Sequence, residues 1–227
     1  MKKNVLVFAS TFPRWRSDPI AARFVYDLSK ELSEYFNISV LTPHTPESEK
    51  YEEWDGLKII RFPYFFPLKL QALVNGTGML SCLKNNKLAA TQIPFFIICQ
   101  AVALYKTVKR HKIDVVNSHW MIPQGFIAAL LKPILGFKHI LTIHAAGLFA
   151  LRRLPFGKQM ARVIVKNTDS IYCVSSYNHQ VLGDLIETEV HTHVLPMGIH
   201  TKLYKEKLDK KLVREELGLP LCAFVFC

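Results

Sequence analysis

The segment Val5-Leu-Val-Phe-Ala9 is a continuous apolar run, the mark of a strand buried on both faces. Asp18-Pro19 then predicts a helix start, with the carboxylate as cap and proline at the first helical position. Phe24, Val25, Leu28, Leu32, Tyr35 and Phe36 follow at helical spacing. Ile38 to Thr42 predicts a second strand. Leu57 to Phe62, after the turn signal Asp55-Gly56, predicts a third. Pro63 to Asn86 has no period and reads as a long, partly structured connection. Ile93 to Lys112 reads as a helix whose last turns carry Lys106, Lys109, Arg110 and Lys112, suited to the negative end of its dipole. Beyond it the alternation is regular. Strands are predicted at Val115–Asn117, His139–Ile143, Ile171–Val174 and His193–Leu195. Helices are predicted at Gln124–Leu135, roughly Leu148–Asn167 and Tyr177–Ile186.

Strands alternating with helices predict an α/β domain with an open, Rossmann-like parallel sheet covered by helices on both faces. Ligands of such sheets bind beyond the carboxyl ends of the strands. The unusual residues of this chain gather at those ends: Ser10 to Arg16, Ser118-His119-Trp120, His144 to Gly147, Ser175-Ser176 and Pro196-Met197-Gly198. From Thr201 the composition turns to lysine and glutamate, reading as a linker with a short helix to Leu217. Cys222 to Cys227 then reads as a new apolar strand, the opening of a second domain.

Composition adds three constraints. With 227 residues, half of them hydrophobic and 21% charged, the chain has material for a good core and is not disordered. The net charge of +11 is uneven: from Gly56 to Thr168 sixteen Lys or Arg face a single acid, Asp114. A middle so poor in acids points to an anionic partner, such as a phosphorylated substrate or phospholipid head groups. Five scattered Cys without a C-x-x-C pair indicate neither a disulfide framework nor a zinc site, and fit a reducing compartment. The amino terminus leads into only about six apolar residues, too few for a secretion signal. The run Ile93–Tyr105 falls short of the ~20 residues of a membrane span, so the chain reads as soluble or peripheral.

The candidate chemistry is sparse. His144 directly follows a buried strand, where an imidazole can hydrogen-bond a sugar hydroxyl or a phosphate; taken alone, a histidine that caps its own strand is the simpler reading. His119 has the same placement one strand over, and Trp120 beside it reads equally as a stacking wall or as core. Gly76-Thr-Gly78 follows no strand and fails as a dinucleotide fingerprint. Phosphate-loop, nucleophile-elbow and H-E-x-x-H motifs are absent. Asp114, alone in its region, cannot form the carboxylate pair of a glycoside hydrolase. Leu148 to Lys166 interleaves basic and large apolar residues, which suits an anionic membrane surface or, more simply, a sheet-covering helix with a basic outer face; Pro155 and Gly157 argue against one continuous helix. The aromatics sit in core-like patterns, which argues against nucleic acid.

Five segments in order carry a resemblance. They are Thr11-Phe-Pro-Arg14 with Phe24-Val-Tyr-Asp-Leu28; Asp114-Val-Val-Asn-Ser-His119-Trp-Met-Ile-Pro-Gln-Gly125; Leu141-Thr-Ile-His144 with Phe149-Ala-Leu-Arg-Arg153; Ile171-Tyr-Cys-Val-Ser-Ser176; and Val194-Leu-Pro-Met-Gly198. From Val5 to about Leu219 the chain resembles the N-terminal domain of the family 4 retaining glycosyltransferases, which have the GT-B fold. The resemblance implies that residues 1–200 form the acceptor-side domain and 201–227 a linker helix plus the first strand of a C-terminal, donor-binding domain. It implies hexosyl transfer from a nucleotide sugar (UDP- or GDP-linked) to a glycan or lipid-linked acceptor, with retention. No tightly bound cofactor and no obligatory metal are expected. His144 is then the catalytic candidate, with Thr11, Arg14, Arg16, His119, Trp120, Thr142, Gly147, Ser175 and Gly198 on the acceptor side. The expected setting is cytoplasmic, at the inner membrane face, in surface polysaccharide or glycolipid assembly, and the chain alone is expected to be inactive. Ala145 stands where the family has Gly, Gly147 where it has Asp, Met197 for the Asn of the last turn and His200 for its Asp. A methyl group at Ala145 is expected to restrict the backbone where a sugar approaches. The alternative reading is a basic Rossmann-like module that sits on an anionic membrane without catalysis.

Overall fold

The structure is a computed structural model, and it describes residues 2–18, 23–74, 79–198 and 209–224. The strands are β1 (Asn4–Phe8), β2 (Asn37–Pro43), β3 (Tyr51–Trp54), β4 (Leu57–Phe62), β5 (Val115–His119), β6 (Lys138–Ile143), β7 (Ser170–Cys173) and β8 (His193–Val194). The helices are α1 (Arg23–Ser33), α2 (Met79–Asn85), α3 (Ile93–His111), α4 (Phe126–Leu135), α5 (Ala145–Arg153), α6 (Gly157–Lys166), α7 (Ser176–Ile186) and α8 (Lys210–Glu216). Residues 1–197 form one compact unit and 198–227 a second.

In the first unit one sheet runs in the order β3-β4-β2-β1-β5-β6-β7-β8. Apart from the β3–β4 pair, all neighbouring strands are parallel. The sheet is therefore mixed rather than wholly parallel, because Tyr51–Trp54 joins β4 as an antiparallel edge. The two-residue turn Asp55-Gly56 makes that hairpin, with φ of 51° and 75°, the left-handed pair a tight turn requires. Strand β3 reads Tyr-Glu-Glu-Trp, half-buried at the sheet edge, so it carries no apolar run.

Side-chain alternation along β1 sorts the core into two layers. Leu6 and Phe8 face α3 and α4, packing with Leu41, Phe96, Leu104, Val108 and Ile127. Val5, Val7 and Ala9 face the other way, onto Val25 and Tyr26 of α1. A third cluster joins β6 and β7 to α5, α6 and α7 through Leu141, Ile143, Leu148, Ile164, Cys173 and Leu182. Burial on both faces is what the continuous apolar runs of β1 and β6 require.

The helical stretch read at Leu148–Asn167 is two helices. α5 ends at Arg153, and Leu154–Phe156 breaks the chain direction, with Phe156 at φ 61°. The helix start at Pro19 and the glycine pair Gly76–Gly78 lie outside the described residues. In the second unit α8 is capped by the Asp209 carboxylate, which accepts from the Lys211 amide at 2.8 Å. The strand expected at Cys222–Cys227 is not seen in its described part: residues 221–223 form a turn and bend, and the Arg214 guanidinium donates to the carbonyls of Leu221 and Ala223 at 3.2 and 2.9 Å. Residues 225–227 lie outside the described residues, as do His200 and the lysine-rich stretch 201–208.

Candidate active site

The order of the sheet fixes where a ligand can enter. From β1 the chain crosses to β2 on one side, and from β5 to β6 on the other, while β1 and β5 are themselves neighbours. That reversal makes the carboxyl ends of β1 and β5 the place where an open α/β sheet usually binds its ligand, the β1/β5 crevice of such folds.

His119 is the last residue of β5 and not part of the loop after it; like Ser118 it is fully buried. Its Nδ1 lies 3.1 Å from Nε2 of His144, the residue that follows β6 and precedes α5. The two rings stack, 5.4 Å apart and 20° from parallel. Trp120 packs on His144 at 4.8 Å, and Phe24, from the first turn of α1, at 5.1 Å. The Trp120 backbone is at φ 71°, a left-handed conformation that a bulky residue adopts only under strain, and such strain concentrates at functional sites. It is pinned there because the Trp120 amide donates to the Thr142 carbonyl at 3.0 Å and the Trp120 carbonyl accepts from the Gly125 amide at 3.1 Å.

Burial pushes the His119 imidazole down to about 3, helped by His144 beside it, and burial alone pushes His144 down to about 4. Both rings are neutral at pH 7, so one N–H joins them. Nε2 of His119 is buried and has no partner among the described residues. A proton there would be an orphaned donor, which is costly, so the proton belongs on Nδ1 and donates to His144 Nε2. This assignment leaves the His144 proton on Nδ1, the only hydrogen-bonding edge that the ring can still offer a ligand.

The other predicted residues divide. Thr142 stands opposite His119 in the β5–β6 ladder and donates its hydroxyl to Asn117 Oδ1 at 3.3 Å, so it buttresses the pair. Thr11 is buried in the loop after β1. Arg14 grips Asp18 through Nε and Nη2 at 2.8 and 3.0 Å, with its own amide on the same carboxylate, and lies over the Trp15 ring. Arg16 is exposed and pairs with Asp55 at 2.6 Å. These arginines thus shape the loop rather than meet the histidines. Ser175 caps α7, accepting from the Asn178 amide at 3.2 Å. Gly198 is exposed and opens the second unit.

Gly147 lies buried on the inner side of α5. A Cβ there would stand 3.1 Å from the Met121 amide nitrogen and 3.3 Å from Cβ of Trp120. Glycine lets α5 seat against the Trp120–Ile122 turn, so this position serves packing, and its departure from the family's Asp has a local reason. Ala145 is the first residue of α5, exposed and without a left-handed φ, so its methyl group fits the backbone without strain. Restoring the family residue by Gly147→Asp is expected to cost about 1–3 kcal/mol through overpacking. Chemical denaturation checks this; unchanged stability would show that α5 shifts freely.

Three residues escape a reading of the sequence. Phe24 reads as a core position of a helix, yet its ring walls the site. Gln124 is fully buried beside the Trp120 turn, its amide without a partner among the described residues. Arg61 is buried, pairs with Glu52 and donates to the Pro13 and Arg14 carbonyls at 2.7 and 3.3 Å, fixing the loop after β1. Among the described residues no three His, Cys, Asp or Glu side chains come together as a metal site.

The sheet order and the helices on both its faces define a Rossmann-like domain. Residues 21–203 match Glycosyltransferase Family 4, and the chain belongs to that family. It has the fold of the N-terminal half of the GT-B enzymes. It is 37% identical over 70 residues to an uncharacterized glycosyltransferase of Methanocaldococcus jannaschii, a match covering 31% of this chain and 20% of that protein. Among solved structures it resembles sucrose-phosphate synthase from Thermosynechococcus elongatus, with TM-score 0.67 and 13% identity over 96% of this chain and 53% of that one. It also resembles Anabaena HepE, solved in complex with UDP, with TM-score 0.55 and 13% identity over 96% and 50%. The chain thus spans about half the length of these two solved proteins.

Proposed function

We propose that this chain is the acceptor-binding half of a glycosyltransferase that moves a hexosyl group from a nucleotide sugar to a glycan or lipid-linked acceptor, with retention. The observation that carries this reading is the neutral His144–His119 pair at the β1/β5 crevice, walled by Trp120 and Phe24. A neutral imidazole with one N–H toward the crevice can hold a hydroxyl of the transferred sugar without attracting counter-ions, and aromatic faces suit the apolar faces of a sugar ring. The donor is taken as a UDP- or GDP-sugar; HepE has been solved with UDP-glucose as well as UDP. Donor contacts come mainly from a second domain, so the chain alone is inactive, and no metal is required.

The setting proposed is the cytoplasmic side of a membrane, in polysaccharide or glycolipid assembly. The five scattered cysteines, with no C-x-x-C pair, fit a reducing compartment, and the acid-poor middle of the chain fits a phosphorylated or lipid-linked acceptor. Retention is tested by the anomeric proton coupling of the glycoside formed from an α-linked donor, read by NMR. An α product supports the reading, and a β product overturns it.

A further inference from the structure

Helix α3 turns Phe96, Gln100, Leu104, Thr107 and Val108 into the protein. A helix that merely covers a sheet is polar on its other side. Here the outer side carries Phe95, Ile98, Val102 and Tyr105, between 46% and 62% exposed. Their spacing of three, four and three residues draws a straight apolar stripe about 15 Å long. Phe66 extends it: the residue is 84% exposed and adjoins Phe65, whose ring packs edge-on to Phe95 at 5.8 Å. Beside α3, helix α4 adds exposed Leu130 and Ile134. Soluble monomers rarely leave a connected apolar surface of this kind uncovered.

The charge around the stripe has one sign. Lys106, Lys109 and Arg110 are exposed along the last turns of α3, and none of them makes an ion pair among the described residues. From residue 57 to 113 the sequence has no Asp or Glu. Residues 89–111 are apolar and long enough to cross a bilayer, yet Phe96, Leu104 and Val108 are built into the core against β1, β2 and β4. The helix is therefore held along the protein's surface. The Phe96 ring meets Phe62, the last residue of β4, so the start of α3 lies at the same end of the sheet as His144.

We propose that the outer face of α3, with Phe66 and the exposed end of α4, docks on an anionic lipid bilayer. The aromatic and aliphatic side chains enter the boundary between head groups and acyl chains, and the three cations meet the head groups. A second copy of the chain is the poorer occupant, because two identical basic rims would face each other and repel. The Leu148–Lys166 segment buries Leu148, Leu151, Ala161 and Ile164 in the core, and its exposed large apolar residues are Leu154 and Phe156, at the break between α5 and α6, rather than a stripe along a helix. The proposal stands apart from sugar transfer and is tested without it.

The test is co-sedimentation of the chain with phosphatidylcholine vesicles, with and without phosphatidylglycerol. Binding is expected only with the anionic lipid and weakens with salt. Ile98→Glu/Val102→Glu, at exposed positions where glutamate keeps helix propensity, and separately Lys106→Glu/Lys109→Glu, are expected to lower partitioning about tenfold or more. Circular dichroism and melting temperature should stay as in the parent chain. The proposal is overturned if the parent chain binds no vesicles, if it binds neutral ones equally, or if both folded variants bind like the parent. A concentration-dependent dimer that Ile98→Glu dissolves would also overturn it, assigning the face to a second copy.

Discussion

Replacing His144 by Ala in a preparation that joins this chain to a donor-binding domain is expected to lower kcat/KM for sugar transfer at least about a hundredfold. The ring occupies the rim of the β1/β5 crevice, and its Nδ1–H is the donor left over once Nε2 has accepted from His119. The effect belongs to the transition state, so kcat should carry most of it, while KM for the nucleotide sugar, which we propose is held by a donor-binding domain, should change little. The substitution also strips His119 of its partner and should cost about 1–3 kcal/mol of stability. His144→Gln separates the two effects: a carboxamide can still meet His119 Nδ1, so stability returns while transfer stays low. Normal transfer by a folded His144→Ala protein would remove the ring from the reaction centre.

Acid is expected to weaken the fold before any carboxylate titrates. His119, His139 and His144 are held by burial at about 3, 4 and 4, against 6.5 for an exposed imidazole. The unfolded chain therefore takes up protons first as the pH falls. Stability from these groups is fully present above pH 6.5 and is lost as the pH drops from there toward 4. Between pH 7.5 and 5.5 the three together should cost about 4 kcal/mol, a large part of a typical domain's stability. His44 and His111, also lowered by burial, act in the same direction. The lowered carboxylates Asp55, Asp169 and Glu187 titrate at more acid pH, so this window isolates the imidazoles. Denaturation midpoints at the two pH values check the prediction. In His144→Gln roughly a third of the dependence contributed by the three histidines should vanish, and a flat profile in the parent chain would contradict the neutral, buried pair.

Much of the frame is legible in the sequence because buried parallel strands must be apolar on both faces. Val5–Ala9, Ile38–Thr42 and Leu57–Phe62 each fall on an observed strand. What escaped obeys other rules. β3 is a polar edge strand and is betrayed only by its turn, Asp55-Gly56. His119 reads as a loop residue because an imidazole seldom ends a buried strand; its burial is bearable only because His144 meets it. Arg14 and Arg16 look free in the sequence: Asp18 follows Arg14 by four residues but in a loop rather than a helix, and Asp55 follows Arg16 by 39, a distance that no local pattern announces. Phe24 reads as core, since helical spacing says which residues share a face but not what the end of the helix abuts. The outer stripe of α3 was hidden for the opposite reason: a run apolar on every side looks like core until the sheet shows which side is covered.

The most direct test of the central claim is sugar transfer from a panel of UDP- and GDP-sugars to lipid-extract acceptors, by the chain alone and by the chain fused to a family 4 donor-binding domain. The acceptor-half account predicts no transfer by the chain alone and transfer by the fusion that His144→Ala abolishes. Transfer by the isolated chain at the rate of the fusion, or none by a fusion whose two domains are folded and whose donor site binds nucleotide sugar, would contradict it.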